Sequence, residues 1–199
     1  MLPTPSECFQ VMDQYDMLEN IKAHSIVVGR IAEFIAGSLS RSGQPISVDL
    51  ALSAALLHDI GKTSSLDTGE DHSQVGHDIC VAHGYFELAP LVRQHVILID
   101  GFPDNPITEK EIVYYADKRV KHDQIVGLDS RLEYILDRYG LGDPRRHQAI
   151  EKNFRQSHLI EEELFSVLDC RPEGLADCLD PEPDWLSRNN THQRLSGVS

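Results

Sequence analysis

Apolar residues recur every third or fourth position along most of the chain, a period that predicts helices rather than strands. Thr4 or Ser6 can cap a first short helix reaching about Tyr15. Between residues 17 and 40, Ile21, Val28, Ile31 and Ile35 form one apolar stripe. The run Ser42-Gly43-Gln44-Pro45 then breaks the chain. Ser47 caps a helix from Val48 to about Ile60 that is apolar on nearly every side, which places it at the centre of the fold. The polar run from Thr63 to Glu70 reads as a loop. Helices follow over 71–83, 87–99, 108–123 and 128–139. Pro103 and Pro106 mark the loop before Thr108, which forms a capping box with Glu111. Residues 144–169 give a longer, more polar helix. No alternating strand pattern of useful length and no internal repeat is present. The expectation is an all-α fold with one helical domain over 1–170. Periodicity is lost from about Pro172, so 171–199 is expected to be a weakly ordered tail. Trp185 in it reads as a short sticky motif rather than a docking residue. The role of 140–199 stays open beyond an extra helix and that tail.

Charge narrows the partners. The chain has 199 residues, 18 of them basic and 32 acidic, for a net charge of -14. Such a surface repels nucleic acid and anionic membranes, so neither is expected as a partner. A small phosphorylated substrate is still compatible, because a metal ion and a few lysines can invert the field inside a pocket. The four cysteines, Cys8, Cys80, Cys170 and Cys178, form no C-x-x-C pair and read as reduced thiols. The opening residues do not read as a signal sequence, and no apolar run reaches membrane-span length, so a cytoplasmic protein is expected. Oligomeric state is not fixed, and a homodimer is compatible with the sequence.

The segment LLHDIGK at 56–62 carries the chemistry. His58 and Asp59 close a very apolar helix, where an imidazole and a carboxylate are costly to bury unless something compensates them, and a metal ion does so. Other polar residues share the pattern. His24 falls on the stripe of Ile21, Val28, Ile31 and Ile35, and Asp117 on that of Val113 and Val120. His72 leads Val75 and Ile79, and His95 sits among Leu88, Val92 and Ile99. Each singly could be a satisfied core residue. Together they resemble the way helical bundles build metal sites from side chains on facing helices.

His24, the pair His58-Asp59 and Asp117 in YYADKRV resemble the HD superfamily of metal-dependent phosphohydrolases over about residues 15–125, and the run HDIGK resembles the subgroup named for that string. The resemblance implies an HD-domain helical bundle. It also implies a first metal held by His24, His58, Asp59 and Asp117, with Asp59 bridging to a second. His72 in HSQVG and His95 in VRQHV resemble the additional ligands of two-metal members, among them bacterial diadenosine tetraphosphate hydrolases of similar length. His77 and His83 are rivals to His72. Helix geometry turns His77 off the His72 face and puts His83 roughly 16 Å further along. Mixed imidazole and carboxylate ligands suit Fe, Mn, Co, Ni or Zn better than Mg. The implied reaction is attack of metal-activated hydroxide on phosphorus in a nucleotide or dinucleoside polyphosphate. Asp59 and Lys62 are the expected catalytic residues, and Lys62, Lys118 and Arg119 the expected phosphate contacts. Lys121 reads as part of a solvated face.

Two motifs are set aside. Gly84-Tyr85-Phe86 and Asp100-Gly101-Phe102-Pro103 resemble a Gly-Tyr-Pro signature of HD relatives that cleave cyclic di-GMP. The second stands after His95, but Val96 and Ile97 occupy the positions of the accompanying His-His-Glu element. Two other functions share the ligand set: a mixed-ligand diiron oxygenase and a regulatory binding module without catalysis.

Overall fold

The computed structural model describes residues 1–100, 102 and 106–187. Among these the chain forms ten α-helices and one two-stranded hairpin. Thr4 and Glu7 close a capping box on α1 (Pro5–Gln14). The long α2 (Glu19–Arg41) buries Ile21, His24, Val28, Ile31 and Ile35 on one stripe. In α3 (Val48–Leu57) every residue from Ala51 to Leu57 is buried, and the helix is packed by α1 and α2 on the N-terminal side of the chain. Its later neighbours are α6 (Ala89–Gln94) and α7 (Glu109–Lys118). The near-absence of a polar face on α3 thus follows from its being surrounded. Between these lie α4 (Lys62–Thr68) and α5 (His72–Ala82), which pack on each other. The chain continues through a hairpin of β1 (Val120–Lys121) and β2 (Gln124–Ile125). It ends in α8 (Leu128–Tyr139), α9 (Pro144–Val167), a 3-10 turn (Pro172–Gly174) and α10 (Leu175–Cys178).

Four sequence expectations are corrected. The run 63–70 is helical, not loop, as far as Thr68. The Ser64 and Ser65 hydroxyls donate to Gly61 O, and Gly69 stops the turn at φ 73°. This helix buries nothing, so no apolar period announced it. The segment expected helical over 87–99 stops at Gln94, where the carbonyls that would continue it are taken by side chains: His95 Nδ1 bonds Val92 O and Lys118 Nζ donates to His95 O. The segment expected over 108–123 stops at Lys118. His122 then takes a left-handed φ of 57°, and the chain folds back to pair Val120 with Ile125.

The fourth correction concerns the tail. Leu175 and Leu179 are core residues, and Trp185 Nε1 donates to Glu33 Oε2 at 2.9 Å while its ring stacks on Phe9. Arg30 Nε donates to Asp180 O, fixing the segment to α2. Trp185, expected as a sticky motif in a loose tail, thus docks on α1 and α2. Residues 188–199 of the expected tail, and Gly101 and Pro103 of the set-aside motif, lie outside the described residues. Among the described residues no helix is long and apolar enough to cross a membrane.

Candidate metal centre

Helix ends build the site. His58 is the C-cap of α3 and His95 the C-cap of α6. In both, ring Nδ1 donates to the carbonyl three residues back: His58 to Ala55 O and His95 to Val92 O, each at 2.7 Å. That bond caps a free helix carbonyl and fixes the tautomer, so Nε2 carries the lone pair and faces inward. His24 repeats the arrangement on the stripe of α2, with Nδ1 at 2.8 Å from His122 O in the hairpin turn. The left-handed turn missed in the sequence therefore orients a candidate ligand.

Asp59 lies between two pairs of imidazoles. Its Oδ2 is 3.5 Å from His58 Nε2 and 4.0 Å from His24 Nε2. Its Oδ1 is 3.4 Å from His72 Nε2 and 3.5 Å from His95 Nε2. Asp117 Oδ1, in the last turn of α7, is 3.0 Å from His24 Nε2 and 3.7 Å from His58 Nε2. Two groups of donors result, His24–His58–Asp59 and Asp59–His72–His95, each with ligand atoms within 4.8 Å of one another. All six residues named in the sequence as candidate ligands are brought together. His77, paired with Asp78, and His83, stacked on Tyr85, take no part in either group.

The donor set fits divalent cations. His58 is fully buried and its Nε2 has no hydrogen-bond partner among the described residues, a costly arrangement for a polar atom unless it serves as a ligand. Burial lowers the pKa of His72 to about 4 and also lowers that of His95, so both rings are neutral and ligand-ready. Burial opposes the charge on Asp59, but His58 and Lys62 hold its carboxyl well below the usual carboxylate range. Asp117 behaves likewise, with Lys118 and His24 outweighing burial. For His58, burial is overcome by Asp59 and Asp117, and its pKa is raised. The negative charge that favours a proton there also favours a metal cation, and the two compete for Nε2.

The basic residues divide sharply. Lys62 lies beside the site with Nζ 2.7 Å from Asp59 Oδ2, and about a third of its side chain is exposed. Burial works against its charge, but Asp59 raises its pKa, so it stays an ammonium. Lys118 is buried, donating to Asp117 Oδ2 and to His95 O at 2.9 Å each. It therefore ties α7 to the end of α6 and is not free to meet substrate as expected. Arg119 also departs from its expected role. It points away from the cluster and bonds Val126 O, Pro172 O, Tyr115 Oη and Glu161 Oε2. A guanidinium has donors for all of these, and the hairpin and the C-terminal segment supply the acceptors.

Two further groups were not singled out in the sequence. Gly61 sits where α4 crosses α5: a Cβ there would run into His72 O and come within 2.5 Å of Gly76 N. Glycine in HDIGK is thus the condition for bringing His72 to Asp59. Arg131 of α8 places Nη2 3.8 Å from Asp117 Oδ1. Its signal was available, since it follows Leu128 by three positions and precedes Ile135 by four, the same kind of stripe that identified His24.

Known proteins resemble parts of this chain. An uncharacterized protein of Methanocaldococcus jannaschii is 28% identical over 72% of this chain and 91% of its own. Ribonuclease Y of Wolinella succinogenes is 32% identical over 50% of this chain but only 17% of its own. A bifunctional uridylyltransferase/uridylyl-removing enzyme of Vibrio vulnificus is 31% identical over 44% of this chain and 10% of its own. The match thus spans under a fifth of either enzyme. No solved structure is a significant match. The HD domain matches residues 21–120, an interval that begins just before His24, ends just after Asp117 and covers half the chain. By that match the chain belongs to the HD domain family.

Proposed function

We propose that the protein is a metal-dependent phosphohydrolase of a small phosphorylated substrate, a nucleotide or a dinucleoside polyphosphate. The observation that carries this reading is Asp59, whose two oxygens each face a different pair of imidazoles. One ion would be held by His24, His58, Asp59 and Asp117 and a second by Asp59, His72 and His95. Fe, Mn, Co, Ni and Zn suit these donors. Such ions supply Lewis acidity, which activates water toward phosphorus and draws charge from phosphoryl oxygens.

The chain's own residues do the rest. The His58, His95 and His24 rings hold fixed positions through their Nδ1 bonds to the Ala55, Val92 and His122 carbonyls. Lys62, held as an ammonium by Asp59, is an anchor for a phosphate oxygen rather than a proton donor to the leaving group. The run HDIGK and the pair His72 and His95 support the two-metal hydrolases of diadenosine tetraphosphate as the nearest activity. Ribonuclease Y acts on RNA by its name, but a net charge of -14 argues for a small substrate over a polymer.

The test is metal content per chain after chelator-free, anaerobic purification, compared with a His72→Ala, His95→Ala double variant. Two ions falling to one, with hydrolysis of dinucleoside polyphosphates lost, is the expected result. One ion unaffected by the variant refutes the second site. Dioxygen uptake by the reduced, iron-loaded protein in place of phosphate release would indicate an oxygenase. Unchanged function in His58→Ala and Asp59→Ala would indicate a binding module.

A further inference from the structure

Two arginines of this protein are buried to a similar extent and behave in opposite ways. Arg119, 3% exposed, is bound through its guanidinium to four acceptors. Arg131, 9% exposed, makes no hydrogen bond through its guanidinium among the described residues, and its Nε is fully buried without a partner. Its contacts are the Tyr134 ring, 5.4 Å from Cζ, and Asp117 Oδ1 at 3.8 Å, longer than a hydrogen bond. A buried guanidinium with idle donors is costly, and balancing Asp117 does not account for it. Asp117 already receives Lys118 at 2.9 Å and His24 at 3.0 Å. Arg131 also comes from α8, outside the segment that matches the family.

We propose that Arg131 is the substrate's phosphate clamp and that it selects substrates offering more anionic oxygens than a single diester phosphoryl does. The inference rests on the phosphohydrolase reading for the identity of the anion. A planar guanidinium donates two parallel N–H bonds to a phosphate and holds it more firmly than an ammonium does. A diester phosphoryl offers two non-bridging oxygens and one charge, which ions at the candidate ligands would already satisfy. A monoester or a polyphosphate offers further anionic oxygens, and Arg131 beside Asp117 is placed to take them. The substrate class is therefore phosphomonoesters and polyphosphates rather than phosphodiesters.

The Mn²⁺-loaded full chain is titrated calorimetrically with inorganic phosphate at about pH 8, where phosphate is mostly a dianion. Arg131→Met, Arg131→Lys and a same-helix control, Arg138→Met, are titrated alongside, with metal content measured on each. Arg131→Met is expected to weaken phosphate binding about 30-fold, Arg131→Lys to recover only part of that, and the control to match wild type, all at unchanged metal content. Wild-type affinity in Arg131→Met, loss of metal together with phosphate, or no phosphate binding by wild type would each overturn the clamp. Should Arg131→Met fail to fold, Arg131→Lys decides. It keeps the charge beside Asp117 but lacks the fork, so affinity equal to wild type refutes the proposal. The selectivity is read with p-nitrophenyl phosphate and bis(p-nitrophenyl) phosphate. KM for the monoester should rise about tenfold or more in Arg131→Met while KM for the diester stays put, and equal rises refute the preference. If neither ester, nor a nucleotide or dinucleoside polyphosphate, is hydrolysed but phosphate binding still depends on Arg131, the hydrolase reading fails and the clamp stands.

Discussion

Replacing Lys118 by Met removes an ammonium from a closed position while keeping most of the side chain's volume. Nζ donates to Asp117 Oδ2 and to His95 O, and the residue is 6% exposed. Burial lowers the lysine's pKa despite the pull of Asp117, so its charge is held at a cost and only because Asp117 faces it. Without metal, the variant leaves a buried carboxylate short of one partner. Removing one member of a buried pair costs about 3–5 kcal/mol, and because His24 still bonds Asp117 we take the lower end, about 3 kcal/mol. With metal bound, the ion neutralises Asp117 in place of the ammonium. The remaining loss is then the hydrogen bond to His95 O, about 1 kcal/mol.

By linkage, the difference between the two states, about 2 kcal/mol, must reappear as metal affinity about 30-fold tighter in the variant. Urea unfolding of wild type and Lys118→Met, each with and without metal, measures the stabilities, and competition with a chelator measures the affinity. Equal destabilisation in both states, or weaker metal binding in the variant, would refute the claim that Lys118 and a cation share Asp117.

Three further outcomes are expected. Gly61→Ala should force α4 and α5 apart at His72 O and Gly76 N, costing about 2 kcal/mol or more, and metal analysis should show loss of the ion at His72 and His95 before the other. Arg119→Ala should lower stability by about 3 kcal/mol in urea unfolding, since it strands the Val126 and Pro172 carbonyls and Glu161, yet leave substrate KM unchanged. Burial pushes the Cys8 and Cys80 thiols up to about 12, so at neutral pH neither carries thiolate. Alkylation of the native protein, read by mass spectrometry, should therefore spare both and reach them only in urea.

The sequence made His24 and Asp117 visible because each interrupts an otherwise apolar stripe, and His58 with Asp59 because they close a helix with no polar face. Those are statements about burial, and burial is what a 3.6-residue period records. It does not record which way a buried cation's donors point. Lys118 and Arg119 are adjacent and both buried, but one turns to the metal centre and the other to the hairpin and the C-terminal segment. Consecutive residues at a helix end point about 100° apart, so the two cannot share partners, and which one meets the cluster depends on acceptors that other segments supply. Leu175 and Leu179 were missed for the opposite reason: a pair of buried leucines at a four-residue helix is too short a run to register as a period.

The placement of the candidate ligands at helix ends has an electrostatic consequence that the residue types alone do not carry. His58, His95 and Asp117 stand at the C-terminal ends of α3, α6 and α7, and their side chains meet within one cluster. Each helix end carries partial negative charge on its free carbonyls. Ala55 O, Val92 O and His95 O are capped by the ring N–H groups of His58 and His95 and by Lys118. Three such ends plus two ionised carboxylates make a region that attracts cations before any particular ligand distance is considered. Lys62, Lys118 and Arg131 are the protein's own answer to that field, and they draw their positions from it. A metal ion at this centre would compete with Lys62 for Asp59 and with Lys118 for Asp117, and Lys62 and Arg131 would keep donors to offer an incoming phosphate.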